Sequence, residues 1–188
     1  MATTIQNFFA AAATKQFSRD FLFRVQEITL GSTGFSLNGN DELLYAKSAA
    51  LPGRTIQNHE VNYMGLTFNV PGRAQYSNSA AYQIEFYADA HSDDNQRTVR
   101  DKLEEVSRAT FDDVTSTGNY GMPGPQDIMT LTLLDKQLKT QKTINLIGVS
   151  IRDIGDMSYT IADGTGAVVS FPCSFSYHFY DDFSKTDG

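Results

Sequence analysis

The chain has one cysteine, no tryptophan, an excess of acids over bases, and no apolar run long enough to cross a membrane. With Cys173 alone, neither an intramolecular disulfide nor a thiolate metal cluster can form, and a reducing cytoplasm is the natural folding compartment. The 22 acids against 15 bases leave a net charge of −7. Such a chain repels phosphate and is a poor candidate for conventional nucleic-acid binding. The apolar stretch from Phe8 to Ala13 is short, and the first base, Lys15, follows it, so neither an export signal nor a membrane anchor is expected.

Recognisable reaction motifs are also missing. His59, His91 and His178 do not have the spacing of a helical metal site, and Gly118, Gly121 and Gly124 do not match a dinucleotide fingerprint. There is no phosphate loop, nucleophile elbow or calcium loop. Asp89, Asp93 and Asp94 are explained more simply as acids at the start of a helix. No enzyme activity, metal or cofactor is expected.

What is present describes one folded β-rich body over residues 1–188, whose 40% hydrophobic content suffices for a core. From Val169 to Tyr180, apolar Val169, Phe171, Cys173, Phe175, Tyr177 and Phe179 alternate with mostly polar residues, which predicts one long strand with one buried face. Pro172 lies on the other face, so it belongs at an edge, at a bulge or where a partner strand has ended. Further strands are predicted over Phe21–Leu30, Glu42–Ser48, Ala81–Asp89, Asp127–Asp135, Thr143–Arg152 and Met157–Ala162. Asn38-Gly39-Asn40-Asp41 and Asp163-Gly164-Thr165-Gly166 favour hairpin turns. One helix is predicted over 92–109, capped by Ser92, with Val99, Leu103 and Val106 as its apolar stripe and Glu104 paired with Arg108. Thr115 to Asp127 reads as a connecting loop.

One segment looks like a building part. Ala50-Leu51-Pro52-Gly53-Arg54, Tyr63-Met64-Gly65 and Phe68-Asn69-Val70-Pro71-Gly72 combine restricted backbone, sharp-turn glycines and apolar contact area. A hairpin folded on its own subunit is the competing reading of this stretch. Taken with the Phe21-Leu22-Phe23-Arg24-Val25 opening, the strand and helix that follow, Ile128-Met129-Thr130-Leu131, and the final Phe175-Ser176-Tyr177-His178-Phe179-Tyr180-Asp181, the order resembles the tail-tube protein family of contractile-tailed bacteriophages of the T-even type.

The resemblance implies a mainly β fold, a barrel or sandwich of two packed antiparallel sheets with one flanking helix. It implies six copies in a ring, rings stacked into the inner tube of a contractile tail, and neighbouring sheet edges joined around the bore through which DNA is delivered. Residues 50–72 would form a loop reaching the adjacent ring, with Leu51, Pro52, Gly53, Arg54, Tyr63, Met64, Gly65, Phe68, Pro71 and Gly72 in contact; residues 1–17 precede the stretch that carries the resemblance, and their Ala-rich piece reads as a short helical turn or an N-terminal arm that packs on a neighbouring subunit. An acidic or neutral bore wall keeps DNA mobile, and Gln83, Glu85 and Asp89 are the candidates to face it.

The implied partners are the chain itself, the sheath, the tape-measure protein, baseplate and tail-terminator proteins, and genomic DNA passing without specific binding. The implied location is the phage tail, assembled in the host cytoplasm. Alternatives are the ring-forming tube protein of type VI secretion, a baseplate protein that initiates the tube and, from another class, a small β-barrel binding module or hydrolase.

Overall fold

A computed structural model describes residues 5, 20–31, 33–38, 46–77, 79–89, 98–112, 114–118, 121–160 and 166–184. Their elements are β1 Phe23–Leu30, β2 Phe35–Asn38, β3 Ala46–Ala49, β4 Arg54–Tyr63, β5 Leu66–Tyr76, β6 Tyr82–Tyr87, α1 Val99–Ala109, β7 Phe111–Asp112, β8 Thr117–Gly118, β9 Asp127–Leu134, β10 Thr140–Ile147, β11 Ser150–Ile154, β12 Ser170–Ser176 and β13 Phe179–Ser184.

Two antiparallel sheets hold the core. One has the order β13-β10-β9-β1-β2, the other β11-β12-β6-β3. Each strand alternates, so one face of each sheet is apolar and the two must cover one another. Val25, Ile28, Leu37, Met129 and Leu146 from the first sheet form one cluster with Ile84, Phe86, Phe171, Cys173 and Phe175 from the second. The predicted two-sheet body is therefore present as a sandwich. It does not close into a barrel, because β13, β2, β11 and β3 each keep one unpaired edge among the described residues.

Val99, Leu103 and Val106 turn the buried stripe of α1 into that core. The helix starts later than predicted. Thr98 caps it: its hydroxyl accepts from the Asp101 N–H at 3.1 Å, while the Asp101 carboxylate accepts from the Thr98 N–H at 3.0 Å. Ser92, Asp93 and Asp94 lie outside the described residues. Glu104 binds Arg100 at 2.8 Å and meets Arg108 at 3.8 Å, and Arg100 also reaches the Gly155 carbonyl at 2.7 Å, 5.4 Å from the Phe171 ring centroid.

Two predicted strands are each broken in two. The Thr143–Arg152 stretch divides at Gly148, which takes φ +70°, so that β10 stays in one sheet and β11 enters the other. The C-terminal strand divides at Tyr177 and His178 in the same way, separating β12 from β13. Both breaks share one crease. The Gly148 and Val149 N–H groups donate to the Asp127 carbonyl at 2.9 and 3.0 Å, and the His178 N–H donates to Ile147 at 2.9 Å. The buried Asp127 carboxylate accepts from the Gly124 N–H at 2.6 Å, tying the preceding loop to the same corner.

Other expectations are also corrected. Residues 157–160 form no strand, and 161–162 lie outside the described residues. The Asn38–Asp41 turn does not join a hairpin, since β2 pairs with β1 and β3 with β6; the chain instead turns back between β1 and β2 around Gly34, at φ +70°. Of the Asp163–Gly166 turn, residues 163–165 lie outside the described residues; β11 and β12, on either side, are antiparallel neighbours. Thr117–Gly118 pairs with Phe111–Asp112 rather than belonging to a plain loop. Pro172 sits inside the second sheet, where its carbonyl accepts from Gly155 at 2.8 Å just beyond the end of β11. Backbone N and C=O of a strand residue point the same way, so the missing N–H faces the side where the partner strand has ended.

Cys173 is buried on the core face, and burial pushes its thiol up to about 12, with the nearby Asp153 carboxylate adding to the effect. A thiol alkylating reagent at pH 8 is expected to leave Cys173 unmodified in the folded protein and to react fully once denaturant is added; mass spectrometry reads both states.

Candidate functional site

Residues 51–72 are not the loop predicted from the sequence. From Arg54 onward they form most of a two-stranded ribbon, β4–β5, that among the described residues pairs only with itself. All ten residues of β4 are exposed, as are those of β5 from Leu66 to Arg73. The ribbon is thus a hairpin, and one that does not fold back on the described residues of its own chain. Leu51, before it, is 53% exposed, beside a hollow of about 290 Å³ lined by Leu22, Phe23, Leu131 and Leu133 as well as Asp20, Arg24 and Thr132.

The glycine and proline signals divide differently from the expectation. The reversal falls at Met64 and Gly65, at φ +47° and +81°, between paired Tyr63 and Leu66. Positive φ at both central residues matches the right-handed twist of a two-residue hairpin. Pro71 does not make a turn: it stands in β5 opposite Asn58. Gly72 belongs to a bulge, with Gly72 and Arg73 opposite Gln57, and a Cβ on it would lie 2.5 Å from the His59 ring.

Pairing assigns the two faces of the ribbon. Tyr63 with Leu66, Val61 with Phe68, and His59 with Val70 share one face; Asn62 with Thr67, Glu60 with Asn69, and Asn58 with Pro71 share the other. The distal half therefore carries five apolar side chains on one side, between 48% and 65% exposed, with Met64 at 86% on the tip. Nothing else among the described residues of this chain covers that face.

Its root is firmly held. The Tyr82 hydroxyl donates to the Ala50 carbonyl, and the Tyr177 hydroxyl donates to Ser77 at 2.9 Å. Ser77 N–H donates to the Gly53 carbonyl at 2.9 Å, and Tyr76 stands edge-on to Tyr180 at 5.2 Å between ring centroids. Arg54 lies 6.0 Å from the Tyr76 ring centroid. Tyr76 and Tyr82 are positioning residues that the sequence did not single out, and Tyr177 and Tyr180, noted there as part of an aromatic strand, gave no sign of this role.

Gln83 and Glu85 project from the outer face of the four-stranded sheet, since Tyr82, Ile84 and Phe86 take the core face. Ser170, Pro172, Ser174 and Ser176 occupy the same outer face on β12. Glu85 accepts from Lys47 and Ser170, each at 2.7 Å. The Lys47 hydrogen bond, followed by that of Ser170, holds the Glu85 carboxyl below the usual carboxylate range, and the same Glu85 bond raises the Lys47 ammonium. Asp89 is placed apart: its carboxylate accepts from the Val99 N–H at 3.3 Å, at the start of α1. Among the described residues no three His, Cys, Asp or Glu side chains are grouped to hold a metal, and no helix is long and apolar enough to cross a membrane.

No family model and no curated protein matches this sequence. Solved structures do match. A chain of the anti-feeding prophage baseplate superposes with a TM-score of 0.62 at 10% identity, covering 91% of this chain and 98% of that one. A chain of the cap that terminates the anti-feeding prophage tube gives 0.58 at 10% identity, with 92% and 94% covered. One from the sheath–tube complex of an extracellular contractile injection system, PVC, in its extended state gives 0.57 at 11% identity, with 94% and 97% covered. The fold of this chain is thus one found in contractile injection systems, in agreement with the sequence resemblance to phage tail-tube proteins.

Proposed function

We propose that the protein is a structural subunit of a contractile tail or injection apparatus, assembling with copies of itself into stacked hexameric rings that form the inner tube. The observation that carries this reading is the β4–β5 ribbon, whose apolar face has no cover within the described part of its own chain. A two-stranded hairpin alone is marginal in water, and a contiguous apolar patch on a projecting element marks a contact surface. The adjacent ring supplies the cover. Leu51, Pro52, Gly53 and Arg54 would lie at the root of that contact, and Tyr63, Met64, Gly65, Phe68, Pro71 and Gly72 along it.

Within a ring, the free edges of β11 and β3 are the means of joining one four-stranded sheet to the next. Unpaired edges are a hazard in a monomer and an assembly surface in a ring. Both edge strands are short and each carries a bulge against its inner neighbour, features that discourage indiscriminate pairing. The outer face of that sheet, with Gln83 and Glu85, would line the bore, whereas Asp89 is occupied at the helix start. Genome delivery, contact with sheath, tape-measure, baseplate and terminator proteins, and residence in the virion tail follow from this role, as does the absence of a reaction of its own. The fold likeness to a baseplate chain equally favours a place where the tube begins, at the baseplate.

Negative-stain microscopy of the purified protein over a range of concentrations tests the reading. Rings or hollow rods are expected; monomers at every concentration and ionic strength would overturn it.

A further inference from the structure

We propose that Glu85 masks Lys47, and thereby keeps the outer face of the four-stranded sheet from engaging phosphate. The use of that face as a conduit wall rests on the function proposed above; the masking does not. The net charge of −7 suggests an acidic wall, but the local composition is different. Among the described residues, the charged side chains brought to this face are Lys47 and Glu85 near one edge and Arg152 and Asp153 at the other, two of each sign, with Ser170, Ser174 and Ser176 between them.

Lys47 is the exposed cation best placed to take a phosphate, and its hydrogen bonds are already directed elsewhere. Its Nζ lies 2.7 Å from Glu85 Oε1 and 3.4 Å from Ser170 Oγ, and 5.8 Å from the Tyr87 ring centroid. Glu85 is in turn fixed by more than Lys47. Ser170 donates to the same oxygen at 2.7 Å. Arg152 is similarly engaged, donating to the Ala80 carbonyl at 2.5 Å.

An exposed ion pair of this kind adds little stability. Its effect is on the field: screening limits interactions to roughly 8 Å at physiological ionic strength, and within that distance a phosphate meets ammonium and carboxylate together. The wall is then electrically neutral and hydroxylic, so a polyanion is neither held nor expelled. A single acid, Glu85, determines this, because removing it leaves an unopposed cation once in every subunit.

The test is binding of a short fluorescent DNA duplex, read by anisotropy at low ionic strength, to wild type, Glu85→Gln, Lys47→Ala, and the double variant. Wild type and Lys47→Ala are expected to show no saturable binding. Glu85→Gln should instead bind saturably, its log affinity falling with log salt by about 0.9 for each lysine engaged. The double variant should return to wild-type behaviour. Glu85→Gln as inert as wild type, or binding that survives in the double variant, would overturn the masking. Lys47 is exposed and Glu85 half-buried, neither belongs to the core, and unchanged melting curves verify the fold. Microscopy of the same samples keeps the two ideas apart: no rings from any of them, wild type included, counts against the tube reading alone.

Discussion

Replacing Val61 and Phe68 together by Asp is expected to abolish ring stacking while leaving the subunit folded. The two side chains face each other across β4–β5 and are each 50% exposed. Covering the remaining area of both by a neighbouring subunit contributes about 2 kcal/mol per contact, a factor of roughly thirty in association. Burying two carboxylates in their place costs several kcal/mol more. In the proposed hexameric ring, six such contacts at each interface would compound the loss. The fold should not suffer, since neither residue belongs to the core and exposed substitutions usually lie within about 0.5 kcal/mol of neutral. Sedimentation velocity with microscopy reads assembly, and circular dichroism with thermal melting reads the fold. Rods of ordinary length from the variant would remove the ribbon from its assigned role. Leu51→Asp should weaken stacking in the same direction but by less, as one side chain at the root.

Substituting Gly148 by Ala is expected to cause the larger loss of monomer stability. Its φ of +70° costs an L-residue about 1–2 kcal/mol. In addition, the new Cβ would stand 2.1 Å from the His178 ring, so the imidazole must be displaced from the corner where β12 gives way to β13. A total of at least about 2 kcal/mol corresponds to a fall in Tm of roughly 4–8 °C for a chain of this size. The two contributions can be separated. His178→Ala in the same background should recover the steric part and leave the backbone part, measured as a double-mutant cycle in denaturant. A Gly148→Ala protein that melts with wild type would show that the crease tolerates a Cβ and that the path of the chain does not depend on it.

The crease also shows why sequence reasoning reached the sheets but not their boundaries. Alternation from Val169 to Tyr180 reports which side of the chain is apolar, and that side remains buried through Phe171, Cys173, Phe175 and Tyr177. It carries no information about which neighbour a strand pairs with. A chain can pass from one sheet to the other without interrupting the pattern, and at Tyr177–His178 it does. The late start of α1 has a comparable origin, because Ser92-Asp93-Asp94 and Thr98 with Asp101 are both good capping signals and only the second is used within the described residues.

The β4–β5 ribbon was legible in part. Its location, its glycines and its apolar residues were all visible between Ala50 and Gly72. Its form was not, because Pro-Gly reads as a turn, whereas here Pro71-Gly72 marks a bulge opposite Gln57 and the reversal falls at Met64-Gly65. The acids were legible as acids, but the charge environment of Glu85 depends on Lys47, 38 residues earlier, and on Ser170, 85 residues later.

By itself, then, the sequence determined the class of fold, the apolar face of the principal strands, the buried stripe of the helix, and the singling out of one Pro- and Gly-punctuated segment. These depend on side-chain period and local backbone preference, which neighbouring residues suffice to express. Tertiary structure alone decided where strands change sheets, that the singled-out segment projects as a ribbon with one apolar face, and that the acid on the outer sheet is neutralised. Each of those rests on residues far apart in the chain being brought within a few ångströms, a relation that no local pattern encodes.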